Sequence, residues 1–217
     1  MAHEFDGQKY EAASGHQKEW GERLIAELNL RGTERILDLG CGDGALTAKL
    51  ARLVPGGMVV GIDASYGMIE VAKQKQGKNV RFLLMDINNL EFDQEFDIVF
   101  SNATLHWVSD HRSLFKRVQS ILSHGGVLRF NFVGDGNCSS FIKVIRESMT
   151  LPLFSEYFKG FVWPWYMPSV EEYTALVQDA GFQDAHDERT SRTDPSPATV
   201  RRGAVGPLRG SGVRQSV

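Results

Sequence analysis

The chain has 217 residues, 42% hydrophobic and 24% charged, which lies in the ordinary range for one soluble domain. A formal net charge of -3 gives no general attraction to phosphate backbones or anionic lipid, so nucleic-acid packaging and a nucleic-acid partner are not expected. No apolar run approaches the roughly 20 residues needed to cross a bilayer. The opening Met1-Ala2-His3-Glu4-Phe5-Asp6 is too polar for a signal peptide, and a cytoplasmic protein without a membrane partner is expected. Cys41 and Cys138 lie in no CxxC pair and read as free thiols, and the histidines show no zinc spacing, so no metal is expected.

Residues 14–30 place Trp20, Leu24, Ile25 and Leu28 at helical spacing, with Gly32 as the stop. Arg35-Ile36-Leu37-Asp38-Leu39 is a short apolar run entering a glycine-rich turn, and the alanine- and leucine-rich stretch 45–51 after it favours helix. Met58-Val59-Val60-Gly61-Ile62-Asp63 reads as a second strand, 66–75 as a helix burying Met68, Ile69 and Val71, and 80–86 as a third strand. A fourth strand covers 96–101, a helix 114–122 and a fifth strand 127–132, after which 138–161 returns to a helical pattern. The aromatic stretch Phe161-Val162-Trp163-Pro164-Trp165-Tyr166-Met167-Pro168 reads as irregular: a lid over an apolar substrate, or a buried crossover. Ser169 and Glu172 form a capping box that opens a last helix, and Gly181 closes it.

Nearly continuous apolar strands alternating with helices predict an α/β, doubly wound, mainly parallel sheet covered on both faces. Ligands of such sheets sit outside the carboxyl ends of the strands, which directs attention to 38–44, Asp63, Asp86 and 101–107. In Asp38-Leu39-Gly40-Cys41-Gly42-Asp43-Gly44 the glycines let the backbone turn sharply and approach a ligand with no Cβ in the way. The same spacing serves nicotinamide and flavin dinucleotides, with Ala45 at the offset of their third glycine, and spacing alone does not choose between them. Asp63, at the end of the next strand, suits the hydroxyls of a ribose and points to an adenosine-bearing cofactor. Asp86 suits an adenine amine or a local cap.

Taken together, 36–44, Gly61-Ile62-Asp63-Ala64-Ser65 with Met68, Met85-Asp86-Ile87 and Gly125-Gly126-Val127-Leu128 resemble class I S-adenosylmethionine-dependent methyltransferases. The resemblance implies S-adenosylmethionine as cofactor, approached by Asp38, Gly40, Cys41, Gly42, Asp63, Ala64, Met68, Asp86, Ile87 and Asn102. Asp38 would bind the cofactor's ammonium or orient the glycine loop. Ser14-Gly15-His16-Gln17-Lys18, the stretch 101–108 and Trp163-Pro164-Trp165-Tyr166 are similar to the subgroup that includes the trans-aconitate and juvenile hormone acid methyltransferases, which esterify small carboxylic acids. That resemblance implies a small-molecule acid as partner, with the amide of Gln17 and the indole N–H of Trp107 donating to its carboxylate. An ionised carboxylate needs no base, so His106 would orient it; for a hydroxyl or amine acceptor His106 would be the base. A cofactor-binding protein without turnover is the reading from another class.

The family's sheet ends on two antiparallel strands, whereas after Phe182 this chain reads Gln183-Asp184-Ala185-His186-Asp187-Glu188-Arg189. From 187 to 217 there are six Arg, four Gly, four Ser, three Pro and three Thr, 20 of 31 residues, a composition unable to offset its ordering entropy. The expected organisation is therefore a methyltransferase domain over 1–186 and a disordered, atypical tail over 187–217. The last strands would be missing or altered, the fifth strand an exposed edge, the cofactor pocket partly kept and turnover weak.

Overall fold

The strand-like runs alternate between two apolar sets, so each strand is stable only with a layer of helices on either face. In the computed structural model, residues 4–182 are described in full, and beyond them the backbone of two short strands. The helices are α1 Gly7–Ala13, α2 Gly15–Ala26, α3 Ala45–Leu53, α4 Tyr66–Lys73, α5 His111–Ile121, α6 Ser139–Thr150 and α7 Val170–Asp179. The strands are β1 Arg35–Leu39, β2 Met58–Asp63, β3 Val80–Leu84, β4 Phe96–Asn102, β5 Leu122–Phe132, β6 His186–Glu188 and β7 Ala198–Arg201, in the order β3-β2-β1-β4-β5-β7-β6. The first five strands run parallel, which bears out the doubly wound architecture.

Several boundaries differ from the sequence reading. Helix α1 was not anticipated, because its one buried residue is Gly7 and no apolar stripe marks it; it starts where the Asp6 carboxylate accepts from the Lys9 N–H. Helix α5 begins earlier, at His111, where Asp110 accepts from the Ser113 N–H. β5 begins at Leu122, directly after α5 and ahead of Gly125-Gly126. The capping box of Ser169 and Glu172 is present at α7.

The expectation of a bare β5 edge is corrected, since Phe130, Asn131 and Phe132 pair antiparallel with Val200, Thr199 and Ala198, and β7 pairs with β6. The run Ala198-Thr199-Val200 has two β-branched residues, a strand signal hidden inside an arginine- and proline-rich segment. These altered strands have only three and four residues. The rest of the segment expected to be disordered lies outside the described residues.

Alternation along β1 assigns the two faces. Leu37 and Leu39 join Leu114, Phe115 and Val118 of α5 and Tyr173 and Val177 of α7 in one core. Ile36 joins Leu24 and Ile25 of α2, Leu50 of α3 and Ile69 of α4 in the other. Asp38 shares the second face, where it is buried and accepts from the Thr47 hydroxyl of α3 at 2.6 Å. Burial pushes its carboxyl up to about 7, the Thr47 bond opposing and the Asp63 charge adding.

On the first face, His111 Nε2 lies 3.0 Å from the Leu105 carbonyl and Nδ1 lies 2.7 Å from the Tyr173 hydroxyl. The carbonyl can only accept, so Nε2 carries the hydrogen of the neutral ring and Nδ1 accepts from Tyr173. Burial holds His111 down to about 4, in keeping with that neutral tautomer. The relay fixes the 3-10 turn Leu105–Trp107 against α7.

Two outcomes follow from these buried groups. Below the unfolded carboxyl value both states of Asp38 are protonated; between it and about 7 only the native state holds the proton, so stability falls as pH rises through that window and levels off above it. The decline attributable to Asp38, up to about 4 kcal/mol, is expected to be missing from Asp38→Asn in urea unfolding across the same pH range; parallel curves would contradict it. Tyr173→Phe strands the His111 acceptor and is expected to cost about 1–3 kcal/mol in the same assay, whereas unchanged stability would show that the relay holds nothing.

Candidate active site

The carboxyl ends of β1, β2 and β4 meet at one cleft, and short backbone devices set its shape. Gly40 has φ +70, and a Cβ there would come within 2.1 Å of the Thr104 methyl, while the Thr104 hydroxyl donates to the Gly40 carbonyl. Gly42 has φ +54, and around a Cβ there only the Tyr10 ring comes within 4 Å, at 3.5 Å. Backbone therefore faces the cleft where a ligand needs close approach. Asp63 at the end of β2 accepts from the Gly42 N–H at 3.0 Å and the Ser65 N–H at 2.9 Å, tying the glycine loop to the start of α4. Burial pushes its carboxyl up, and the Ser65 and Gly42 N–H groups oppose the shift.

The amino-terminal segment closes one side. The Glu4 carboxylate accepts from the Gly67 N–H at 2.7 Å, the Tyr66 N–H and the Ser65 hydroxyl, which also lowers its pKa. Next to this clasp α1 packs on α4 so closely that a Cβ on Gly7 would meet the Gly67 carbonyl at 2.4 Å. Phe5 and Tyr10 thereby line the cleft with Trp20 of α2; the sequence marked Trp20 only as a helix-face residue, and Phe5 and Tyr10 not at all, since α1 carries no periodic signal. Burial first, then the charges of Asp43 and Asp63, push the Tyr10 hydroxyl up to about 12, so it stays protonated.

The resulting cavity holds about 360 Å³ and gathers most of the sequence candidates: Gln17, Gly40, Gly42, Asp63, Ala64, Met68, Asp86, Ile87, His106 and Trp107. Thr104 and Ala103 also line it and were passed over within 101–108. Asp86 combines both of its readings, lining the cavity while one oxygen accepts from the Asn88 N–H and side-chain amide. Asp38, Cys41 and Asn102 fall outside this cavity and line a neighbouring one of about 30 Å³, with Lys18 and Asp43. There the Cys41 thiol is pushed up by burial and by the charges of Asp38 and Asp63. Asn102 donates to the Gln17 carbonyl at 2.9 Å, and its buried Oδ1 has no hydrogen-bond partner among the described residues.

His106, Trp107 and Gln17 line the same main cavity, and Gln17 also lines the small one beside the glycine loop. His106 Nδ1 is buried without a hydrogen-bond partner among the described residues, and burial holds the ring down to about 4, so it is neutral at neutral pH. Its carbonyl accepts from the Tyr166 N–H at 2.8 Å, anchoring the aromatic stretch. Trp107 stands edge-on between Phe5, centroids 6.1 Å apart, and Trp165, 5.8 Å apart, with Trp163 a further 5.3 Å from Trp165. Among the described residues no cluster of His, Cys, Asp and Glu could hold a metal ion, and no helix is long and apolar enough to cross a membrane.

Comparison with known proteins fits this geometry. A methyltransferase domain family matches residues 36–126. The malonyl-[acyl-carrier protein] O-methyltransferase of Legionella pneumophila is 37% identical over 130 residues, 58% of this chain and 46% of that protein. The trans-aconitate 2-methyltransferase of Escherichia coli is 41% identical over 105 residues, 48% of this chain and 41% of that protein. The chain thus spans about half the length of such relatives. The magnesium protoporphyrin IX methyltransferase of Synechocystis, solved with S-adenosylhomocysteine, shares the fold with a TM-score of 0.64 at 22% identity over 88% of this chain and 84% of that one. A glycine loop tied to a strand-end aspartate, at the carboxyl edge of this sheet and within a matching methyltransferase domain, places the chain in the class I S-adenosylmethionine-dependent methyltransferases.

Proposed function

We propose that the chain methylates a carboxylate of a small acid, and the observation that carries this reading is that two donor side chains, Gln17 and Trp107, line one cavity with His106, a ring that burial disfavours in its charged form. The residues present suit S-adenosylmethionine: bare backbone at Gly40 and Gly42 suits its methionine part, Asp63 the ribose, and Met68, Asp86 and Ile87 the adenine. When bound, it supplies a methyl group on a positively charged sulfur. Asn102 Oδ1 and Asp38, in the small adjoining cavity, are acceptors suited to an ammonium beside the glycine loop.

The chain's own contribution is alignment. Gln17 and Trp107 carry N–H donors, which orient a carboxylate by its oxygens. His106, held down to about 4, is too weak a base to take a proton from a hydroxyl or ammonium near neutral pH, and a carboxylate has none to give up. Phe5 and Trp107 line the cavity with apolar rings, and Trp165 packs edge-on against Trp107, which limits the water around the reacting groups. Two relatives are named for malonyl-[acyl-carrier protein] and trans-aconitate, both acid-derived acceptors, which supports this reading over a hydroxyl or amine acceptor.

Methyl transfer from labelled S-adenosylmethionine is therefore expected with a pool of carboxylic acids and not with matched alcohols or amines. The kcat/KM for an acid is expected to stay flat across the neutral pH range, and His106→Ala to raise KM about 10-fold with kcat little changed. A kcat loss of about 100-fold or more, together with a pH inflection that disappears in the variant, would assign His106 to proton transfer instead.

A further inference from the structure

Helix α6 has no buried residue, although its sequence is amphipathic. Between it and the aromatic stretch lies a second cavity of about 510 Å³, lined by Ile142, Trp163, Trp165 and Met167 on its apolar side and by Asp135, Lys143, Arg146 and Glu147 among its polar groups. The cavity lies on the far side of the Trp107–Trp165 contact from the main one, Trp107 lining the main cavity and Trp165 the second, so this ring pair is the link seen between the two cavities and an acceptor spanning both has to pass it. The main cavity, at about 360 Å³, is near the small end of the range for ligand sites, so a nucleoside cofactor bound there leaves limited room for the body of an acceptor.

The polar groups are not equivalent. Lys143 pairs with Glu147 at 3.9 Å, whereas Arg146 forms no ion pair among the described residues and instead stands 5.3 Å over the Trp163 ring. A guanidinium over a ring with no carboxylate partner keeps N–H donors available to a carboxylate or phosphate. Asp135, the remaining acid, is exposed and lies outside ion-pair distance of Arg146. We infer that this second cavity holds the apolar body of the acceptor and that Arg146 selects acids bearing a second anionic group at the far end. The inference rests on the carboxylate reading above and adds the substrate class. It also accounts for an α6 without buried side chains, since the helix gains its packing only when the cavity is filled.

The test is equilibrium binding to the full chain saturated with S-adenosylhomocysteine, followed by tryptophan fluorescence. The probes are α,ω-dicarboxylates from succinate to sebacate, each paired with the monocarboxylate of equal length, and an ω-phosphonocarboxylate to separate carboxylate from phosphate. For at least one length the doubly anionic acid is expected to bind about 10-fold more tightly than its partner. Arg146→Gln is expected to erase that preference while leaving the monocarboxylate and S-adenosylhomocysteine affinities unchanged, and hydrogen exchange is expected to slow across 139–150 on binding. Equal binding of both acids by the unaltered chain, or an equal loss for both in Arg146→Gln, would overturn the inference. Arg146-dependent binding of the diacid without methyl transfer to any acid would uphold this site and refute the carboxylate methyltransferase reading, so the two fail separately.

Discussion

Two hydrogen bonds to one carboxylate organise the ligand-facing edge of this protein. Asp63 holds the N–H of Gly42 with one oxygen and that of Ser65 with the other, so the end of β2 fixes both the turn after β1 and the start of α4. Ser65 then caps α4 through Met68 and receives the Phe5 N–H, and the Glu4 carboxylate gathers the next N–H groups of the same turn. Cofactor loop, helix and amino-terminal lid thus meet within a few residues of one side chain. Its burial is unfavourable to the charged form, and the two N–H donors are what offset that cost.

The part of the cavity proposed for the acceptor follows a different physical logic. Its side chains are mostly apolar rings and neutral donors, held by a relay that runs from Tyr173 through His111 to the Leu105 carbonyl and by the Tyr166 N–H on the His106 carbonyl. Neither His106 nor His111 carries charge near neutral pH, because burial disfavours the protonated ring in both. On the function proposed above, such a site aligns a nucleophile that is already ionised and has no need to generate one.

The sheet and the cofactor edge were legible in the sequence because both rest on strong local signals: continuous apolar strands, a glycine loop and acidic strand ends. The amino-terminal contribution was not, since α1 is short and buries only Gly7, and what holds it is contact with α4 distant in sequence. Gln17 was found through resemblance, while Phe5, Tyr10 and Trp20, which line the same cavity, had no motif to mark them. Asp38, Cys41 and Asn102 were read as cofactor residues from their place in the motif, and they line a small cavity that shares Gln17, Gly40 and Gly42 with the main one, a subdivision that spacing does not carry. The edge of β5 was misjudged because a strand of four residues can be decided by its partner more than by its own composition.

The central claim is that the carboxyl edge of this sheet is an S-adenosylmethionine site assembled by Asp63 and the glycine loop. Isothermal titration of the full chain with S-adenosylmethionine and S-adenosylhomocysteine, with NAD as the control ligand, tests it most directly. The account predicts micromolar binding of the first two and none of NAD. Binding of NAD, or of none of the three, would contradict it.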